Sequence, residues 1–220
     1  MSEDSNEKIA EAWRIKSWFP DLGDQPESKM ADYFTLLKKF NRALNLVSAK
    51  TIPFADALHF ADSILASRLI AKSGYKIEKL HDFGSGNGFP GLVFGIIYPN
   101  VEVVLVDTDQ RKAEFIKHVI SDLGLKNCTV INKTIESLPD NSVQFGVCRG
   151  LARITKVLLM TRKCVAKGGA VFHLKGEEWG IEVSEIPAQL CSIWSPALVG
   201  EYRLPVGAFR FAVVKTEKIQ

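Results

Sequence analysis

Cysteine is scarce and unpatterned in this chain. Cys128, Cys148, Cys164 and Cys191 are widely spaced and include no Cys-x-x-Cys pair. That excludes a zinc-finger ligand set and a dithiol redox pair, and it predicts buried thiols in a reducing, cytoplasmic setting. Long apolar runs are missing as well. The longest, residues 92–98, falls far short of the roughly 20 residues that a membrane span needs. The opening Met-Ser-Glu-Asp-Ser-Asn-Glu-Lys is polar and acidic, unlike the apolar core of a secretory signal. No Gly-Lys-Ser/Thr phosphate loop occurs. Nor is there a His, Cys, Asp or Glu cluster at ligand spacing, so no bound metal is expected. Repeats and low-complexity segments are absent.

What remains is ordinary globular composition, with 46% hydrophobic and 24% charged residues in 220, enough for one core and an N-terminal extension. The net charge of +3 hides an asymmetry: residues 149–220 hold 11 Lys/Arg against 6 Asp/Glu. Between Arg149 and Lys175 there are seven basic residues and no acid. Such a run is either a solvated face or a surface turned to a polyanion, since phosphate contacts dominate nucleic-acid affinity.

Residues 1–74 read as helical. Tyr33, Phe34, Leu37, Phe40 and Leu44 recur at three- and four-residue steps, as do Phe54, Leu58, Ala61, Ile64, Leu65 and Leu69. Residues 24–28 read as a separator from an earlier short helix over 9–18. Residues 75–220 alternate strand and helix, which predicts an α/β fold with a mostly parallel seven-stranded sheet and helices on both faces. Strands are expected at 77–83, 101–107, 128–132, 144–148, 170–175, 190–196 and 209–215, with helices at 111–123 and 151–165.

The most informative stretch is Leu80-His-Asp-Phe-Gly-Ser-Gly-Asn-Gly-Phe-Pro-Gly91. Gly84, Gly86 and Gly88 follow an apolar strand and precede a helix opened by Pro90. Glycines there permit positive φ and leave no side chain between backbone and ligand, while the helix N-terminus offers unpaired N–H groups and a positive dipole end. The dinucleotide pattern Gly-x-Gly-x-x-Gly would place its third glycine at Phe89, so it does not apply. The order Asp82, Gly84, Gly86, Gly88, then Asp107 at the end of the next strand, resembles the S-adenosylmethionine site of class I (Rossmann-like) methyltransferases. In that class the strand-two acid takes the ribose hydroxyls.

Further residues narrow the resemblance. Asn41-Arg-Ala-Leu-Asn-Leu-Val47, His59-Phe-Ala-Asp62-Ser63, the Phe-Pro-Gly ending of the turn, Asp107 with Arg111, Lys112 and Phe115, Arg149-Gly-Leu-Ala152 and Leu174-Lys175-Gly176 follow one another as in the bacterial RsmG (GidB) family. That family methylates guanine N7 in 16S rRNA. The resemblance spans about residues 30–217. It implies S-adenosylmethionine contacts at Gly84, Phe89, Ile135, Glu136 and Arg149. It also implies a guanosine of the 530 loop of 16S rRNA, in naked rRNA or in the small ribosomal subunit, as substrate. Glu136 otherwise reads as a loop carboxylate. Lys175, at a strand end facing the same crevice, is the RNA-phosphate candidate; Lys38, Lys39, Arg42, Arg153, Lys163 and Arg210 are expected along the RNA path. The protein is expected to act as a monomer.

The chain departs from the family at Leu58, where an arginine usually precedes the histidine. It departs again at Phe209, where the last strand usually carries an arginine; Arg210 follows one residue later. A one-residue shift along a strand turns a side chain to the other face. Gly150 and Leu151 are also unusual beside the cofactor. Guanine N7 has a free lone pair at neutral pH, so no general base is expected, and catalysis would rest on positioning and electrostatics. His59, Asp62 and Arg149 are the positioning candidates. Methylation of another RNA site, a protein or a small molecule, or a cofactor-binding module without catalysis, are the other readings these departures leave open.

Overall fold

The structure, a computed structural model, describes residues 13–220. Seven strands form one sheet: β1 (Lys79–Phe83), β2 (Glu102–Asp107), β3 (Cys128–Asn132), β4 (Val143–Arg149), β5 (Val165–Lys175), β6 (Trp194–Arg203) and β7 (Arg210–Lys218). Their order is β3-β2-β1-β4-β5-β7-β6. The first five are parallel, and β7 runs antiparallel between β5 and β6. The chain steps outward from β1 through β2 to β3, then returns to place β4 on the other side of β1. That reversal opens a crevice above the carboxyl ends of β1 and β4, where ligands of such sheets bind.

Alternation along each strand builds two cores. Leu80, Val103, Leu105, Phe145, Val147, Phe172 and Val213 face one side; Phe83, Val104, Val106, Cys148, Val171 and Val214 face the other. The second side is closed by α6 (Ile154–Thr161) through Ile154, Val157 and Leu158. The first is covered by α2 (Asp24–Leu44), α3 (Asp62–Ala71), α4 (Gly91–Ile97) and α5 (Gln110–Asp122). On α2, Met30, Tyr33 and Leu37 are fully buried at three- and four-residue steps, each such side chain contributing about 2 kcal/mol. The N-terminal helices thereby share a core with the sheet. The remaining helices are short: α1 (Ile15–Trp18), α7 (Trp179–Ser184) and α8 (Ala188–Cys191). No described helix is long and apolar enough to cross a membrane.

Local chemistry explains the boundaries. Asp109 caps α5, its carboxylate accepting from the N–H groups of Arg111 (2.9 Å) and Lys112 (3.2 Å), and Gly124 follows the helix at φ +59°. Four expectations are corrected. Residues 24–28 are the first turn of α2 and not a separator, because Pro26 needs no hydrogen-bonded N–H there. The expected helix over 151–165 covers only α6, and the Gly168-Gly169 segment lies within β5 as an irregularity in its pairing with β4. The strand expected at 190–196 begins at Trp194, after α8, and runs to Arg203; Pro196 is tolerated because β6 is an edge strand. Cys191 is exposed, unlike the other three cysteines. Of the helix expected over 9–18, the described residues form only α1, with Trp13 and Arg14 outside it; the residues before 13 lie outside the described part.

Candidate functional site

The turn after β1 is tied to β2 by two backbone bonds, from the N–H groups of Gly84 (2.9 Å) and Ser85 (3.1 Å) to the Val106 carbonyl. Gly84, Gly86 and Gly88 all have positive φ, at +65°, +56° and +95°, a region that side chains with a Cβ rarely adopt. A Cβ on Gly84 would stand 2.6 Å from Leu151 Cδ1, whereas one on Gly86 would meet nothing nearer than 3.8 Å. Asp107, ending β2, accepts from the Gly86 N–H at 2.6 Å and the Asp109 N–H at 2.8 Å. Its carboxylate is thus fixed at the rim of the turn.

A cavity of about 370 Å³ opens here, bounded by Gly84, Gly86, Asp107, Ile135, Glu136 and Gly150 among others. Five of the expected cofactor residues therefore line one space. Thr108, Lys112, Lys133, Leu151 and Met160 complete its wall, and the lone residues Lys133 and Met160 carried no sequence signal. A glycine floor without side chains, an anchored carboxylate, the apolar side chains of Ile135, Leu151 and Met160 and the polar ones of Lys112 and Lys133 suit an adenosine joined to a charged amino-acid tail. The volume falls within the usual range for small-ligand sites. The residues present fit S-adenosylmethionine. A larger cleft, about 580 Å³, lies beside Gln25, Lys29, Gly124 and Lys126; none of the expected site residues borders it.

Three expected cofactor residues lie beneath this surface. Asp82 is fully buried; its Oδ2 accepts from the Gly91 N–H at 2.8 Å, and its Oδ1 has no partner among the described residues. Burial raises its pKa to about 7. A Cβ on Gly88 would strike Leu92 and the Tyr33 hydroxyl. Phe89, 2% exposed, is stacked against Tyr33 (4.9 Å) and His59 (5.4 Å) and meets the edge of Phe60. Asp82 and Phe89 thus shape the turn from behind with their side chains.

Arg149, at the carboxyl end of β4, joins the turn to the N-terminal helices. Its Nη1 lies 2.9 Å from Asp62 Oδ2, its Nη2 lies 3.4 Å from His59 Nδ1, and its guanidinium stands 5.3 Å above the Phe89 ring. The other Asp62 oxygen accepts from the Tyr202 hydroxyl at 2.6 Å. The chain from Asp56 to Ala61 is a π-helical turn and not the expected α-helix, yet it brings His59 and Asp62 to one guanidinium. Burial drops the His59 pKa to about 3, with Arg149 adding to the shift, so the imidazole is neutral and unsuited to acid catalysis at neutral pH. Tyr202 was not foreseen: it reaches Asp62 from 140 residues away.

The basic residues divide into several settings. Lys38, Lys39 and Arg42 are exposed on the last turns of α2. That end is docked to the glycine turn, for Asn87 Nδ2 donates to the Leu46 carbonyl at 3.0 Å. Arg210 is exposed at the start of β7. Arg153 pairs with Glu185. Lys175 is held by Glu182 (2.8 Å) and the Ala152 carbonyl (2.8 Å). Lys163 precedes β5, at the amino end of the sheet, and borders a small pocket with Glu136 and Arg162. The run from Arg149 to Lys175 is therefore not one continuous basic face.

Residues 26–193 match the family described as rRNA small subunit methyltransferase G, GidB. Ribosomal RNA small subunit methyltransferase G 3 of Bdellovibrio bacteriovorus is 59% identical over 94% of each chain. Ribosomal RNA small subunit methyltransferase G of Paracoccus denitrificans is 35% identical over 71% of this chain and 80% of its own. Among solved structures, the tRNA (m1A58) methyltransferase TrmI of Aquifex aeolicus superposes with a TM-score of 0.54 at 15% identity, covering 73% of this chain and 69% of its own. At that identity the likeness speaks for the fold.

Proposed function

Because the chain belongs to the rRNA small subunit methyltransferase G (GidB) family, we propose that it methylates N7 of a guanosine in the 530 loop of 16S rRNA, with S-adenosylmethionine as donor. The observation that carries this reading is the meeting of Gly84, Gly86 and Asp107 around one cavity at the crevice of the sheet. Bound S-adenosylmethionine supplies an electrophilic methyl group on a sulfonium. Asp107 would accept from its ribose hydroxyls, the turn would lie against its amino-acid part, and Ile135 and Glu136 would border its adenine.

The remaining work is positional. The crevice would have to hold the guanine nitrogen in line with the donated methyl group, at about 3 Å; N7 carries a free lone pair, so the protein would have no proton to remove and the donor's sulfur would keep the electron pair of its bond to methyl. The half-buried, neutral His59 and the Asp62-bound Arg149 would stiffen the wall beside the turn without serving as a base. Side chains cannot enter the deep, narrow major groove of paired RNA, so the target base must be splayed from a loop.

The test is methylation by the purified protein of small-subunit particles and of naked 16S rRNA, with the product nucleoside identified. N7-methylguanosine in the 530 loop is expected, and it should be absent from cells lacking the protein. Product on another base nitrogen, on a protein or on a small metabolite would overturn the reading, as would cofactor binding with no transfer.

A further inference from the structure

The tip of the hairpin between β6 and β7 lines no part of the cavity described above. In that tip, residues 204–209, Phe209 is 62% exposed, the most open large apolar side chain among the described residues. Gly207 turns the chain with φ +77°, and the Phe209 ring folds over it, so that a Cβ there would lie 3.2 Å from the ring. The ring is supported from below and open above. No core contact accounts for it.

Arg203 and Arg210 stand directly opposite each other across the β6–β7 ladder at the base of this tip. Like charges so placed repel, and among the described residues neither guanidinium forms an ion pair. The nearby acids are otherwise engaged. Glu201 accepts from Trp179 Nε1 at 3.1 Å, and Glu177 accepts from the backbone N–H of Arg210 at 3.3 Å. A pocket of about 370 Å³ lies between Glu201, Tyr202, Arg203 and Arg210.

The hairpin also stands at the right end of the sheet. Lys175, the last residue of β5, pairs with Ala212, so Arg210 lies beyond the carboxyl ends of the parallel strands, on the same edge as the glycine turn. Tyr202, next to Arg203, anchors the hairpin to Asp62 and through it to Arg149. An open ring at the tip of a hairpin whose base carries two cations, the hairpin being tied to the wall of the crevice, has the makings of a single-strand contact: bases of any identity stack on aromatic faces while cations hold the backbone.

We propose that Phe209, at the hairpin tip above the Arg203–Arg210 pair, is a stacking platform for an unpaired nucleotide of the RNA substrate next to the one being methylated. The proposal rests on the rRNA methyltransferase reading for its substrate, but stacking itself is sequence-tolerant and is tested apart from it. The protein and its Phe209→Ala, Phe209→Leu and Phe209→Trp variants are titrated with a short oligoadenylate, with deproteinised 16S rRNA and with small-subunit particles. Thermal unfolding and S-adenosylmethionine affinity serve as controls and stay unchanged.

Phe209→Ala weakens oligoadenylate binding about tenfold, the scale of one lost base–aromatic stack. Phe209→Leu is equally weak, and Phe209→Trp binds as well as the parent or better. Arg203→Gln and Arg210→Gln each shallow the salt dependence by about 0.7 of a logarithmic unit. Equal binding by Phe209→Ala, or full binding by Phe209→Leu, overturns the platform. Dependence on Phe209 seen with particles but not with either free RNA also overturns it, and assigns the ring to a ribosomal protein. If Phe209-dependent RNA binding persists while rRNA methylation fails, the platform stands and the substrate reading falls.

Discussion

Asp62 receives Arg149 on one carboxylate oxygen, at 2.9 Å, and the Tyr202 hydroxyl on the other, at 2.6 Å. Three segments far apart in sequence, α3, the end of β4 and β6, are joined at one carboxylate. Its side chain is 5% exposed and that of Arg149 19%.

Removing one member of a pair so deeply placed leaves the other charge poorly solvated. Asp62→Ala is expected to destabilise the protein by about 3 kcal/mol, read from the urea midpoint. Tyr202→Phe, which removes one hydrogen bond to a charged acceptor, should cost about 1.5 kcal/mol. If Asp62→Ala unfolds at the wild-type midpoint, the junction does not hold the wall of the crevice.

Asp107→Ala should weaken S-adenosylmethionine binding by about 1.5–3 kcal/mol, the scale of hydrogen bonds to a charged group. Calorimetry reads this directly. Because Asp107 also accepts from Gly86 and Asp109, the turn loosens in the variant and the loss should fall toward the upper end. Gly84→Asp should abolish binding and methyl transfer together: the substitution forces φ +65° on a residue with a Cβ, drives it toward Leu151, and sets a carboxylate where the cofactor's own is expected. Unimpaired binding by both variants would place the cofactor elsewhere.

Much of this arrangement was legible in the sequence because it depends on local rules. The glycines after β1, the acid ending β2 and the period-two strands depend on backbone geometry and alternation, and β3 starts and ends where expected. Phe89 was read from its place in a motif, but its ring size and apolarity decide its setting, among Tyr33, His59 and Phe60. The π-helical turn at Asp56–Ala61 carries no composition that distinguishes it from an α-helix. β6 was misplaced because five of its ten residues are exposed, which erases alternation, and because Pro196 reads as a breaker unless the strand is known to be an edge. Ion pairs such as Lys175 with Glu182 join side chains whose meeting depends on how α7 returns over the sheet. Net charge along the sequence could not show that Lys175 and Arg153 are each matched by an acid.

Asp82 gives the pH dependence a sign. Burial raises its pKa to about 7, with Arg149 opposing and Asp107 adding to the rise. The folded protein thus holds a proton that the unfolded chain, with a carboxyl near 3.9, has released. This contribution is fully present below about pH 4 and is lost as pH climbs to about 7, where it levels off. His59, His81 and His173, with pKa values lowered to about 3, 4 and 3, act in the opposite sense and weaken the fold as pH falls below about 6.5. The difference between wild type and Asp82→Asn isolates the carboxyl. The variant should gain on the wild type between pH 4 and 7 and keep a constant lead above. A pH-independent difference in unfolding midpoint would mean that Asp82 ionises normally.

Lys175 and Glu182 supply the last test. With 12% and 19% of their side chains exposed, they form a pair partly shielded from salt, and Glu182 Oε2 also accepts from the Ile154 N–H at 2.9 Å, at the start of α6. The lysine is therefore neutralised in place, although it sits at the carboxyl end of β5 beside the crevice. Glu182→Gln keeps an acceptor for Ile154 while releasing the charge of Lys175. If Lys175 contacts RNA phosphate, the variant should bind 16S rRNA with a salt dependence steeper by about one logarithmic unit, and Lys175→Ala should remove that gain in the double variant. Arg42→Ala, on the exposed end of α2, should shallow the slope by about the same amount on its own. A slope that stays fixed through Glu182→Gln would mean that Lys175 serves only to fasten α7 to the sheet, and would leave the RNA path to α2 and the β6–β7 hairpin.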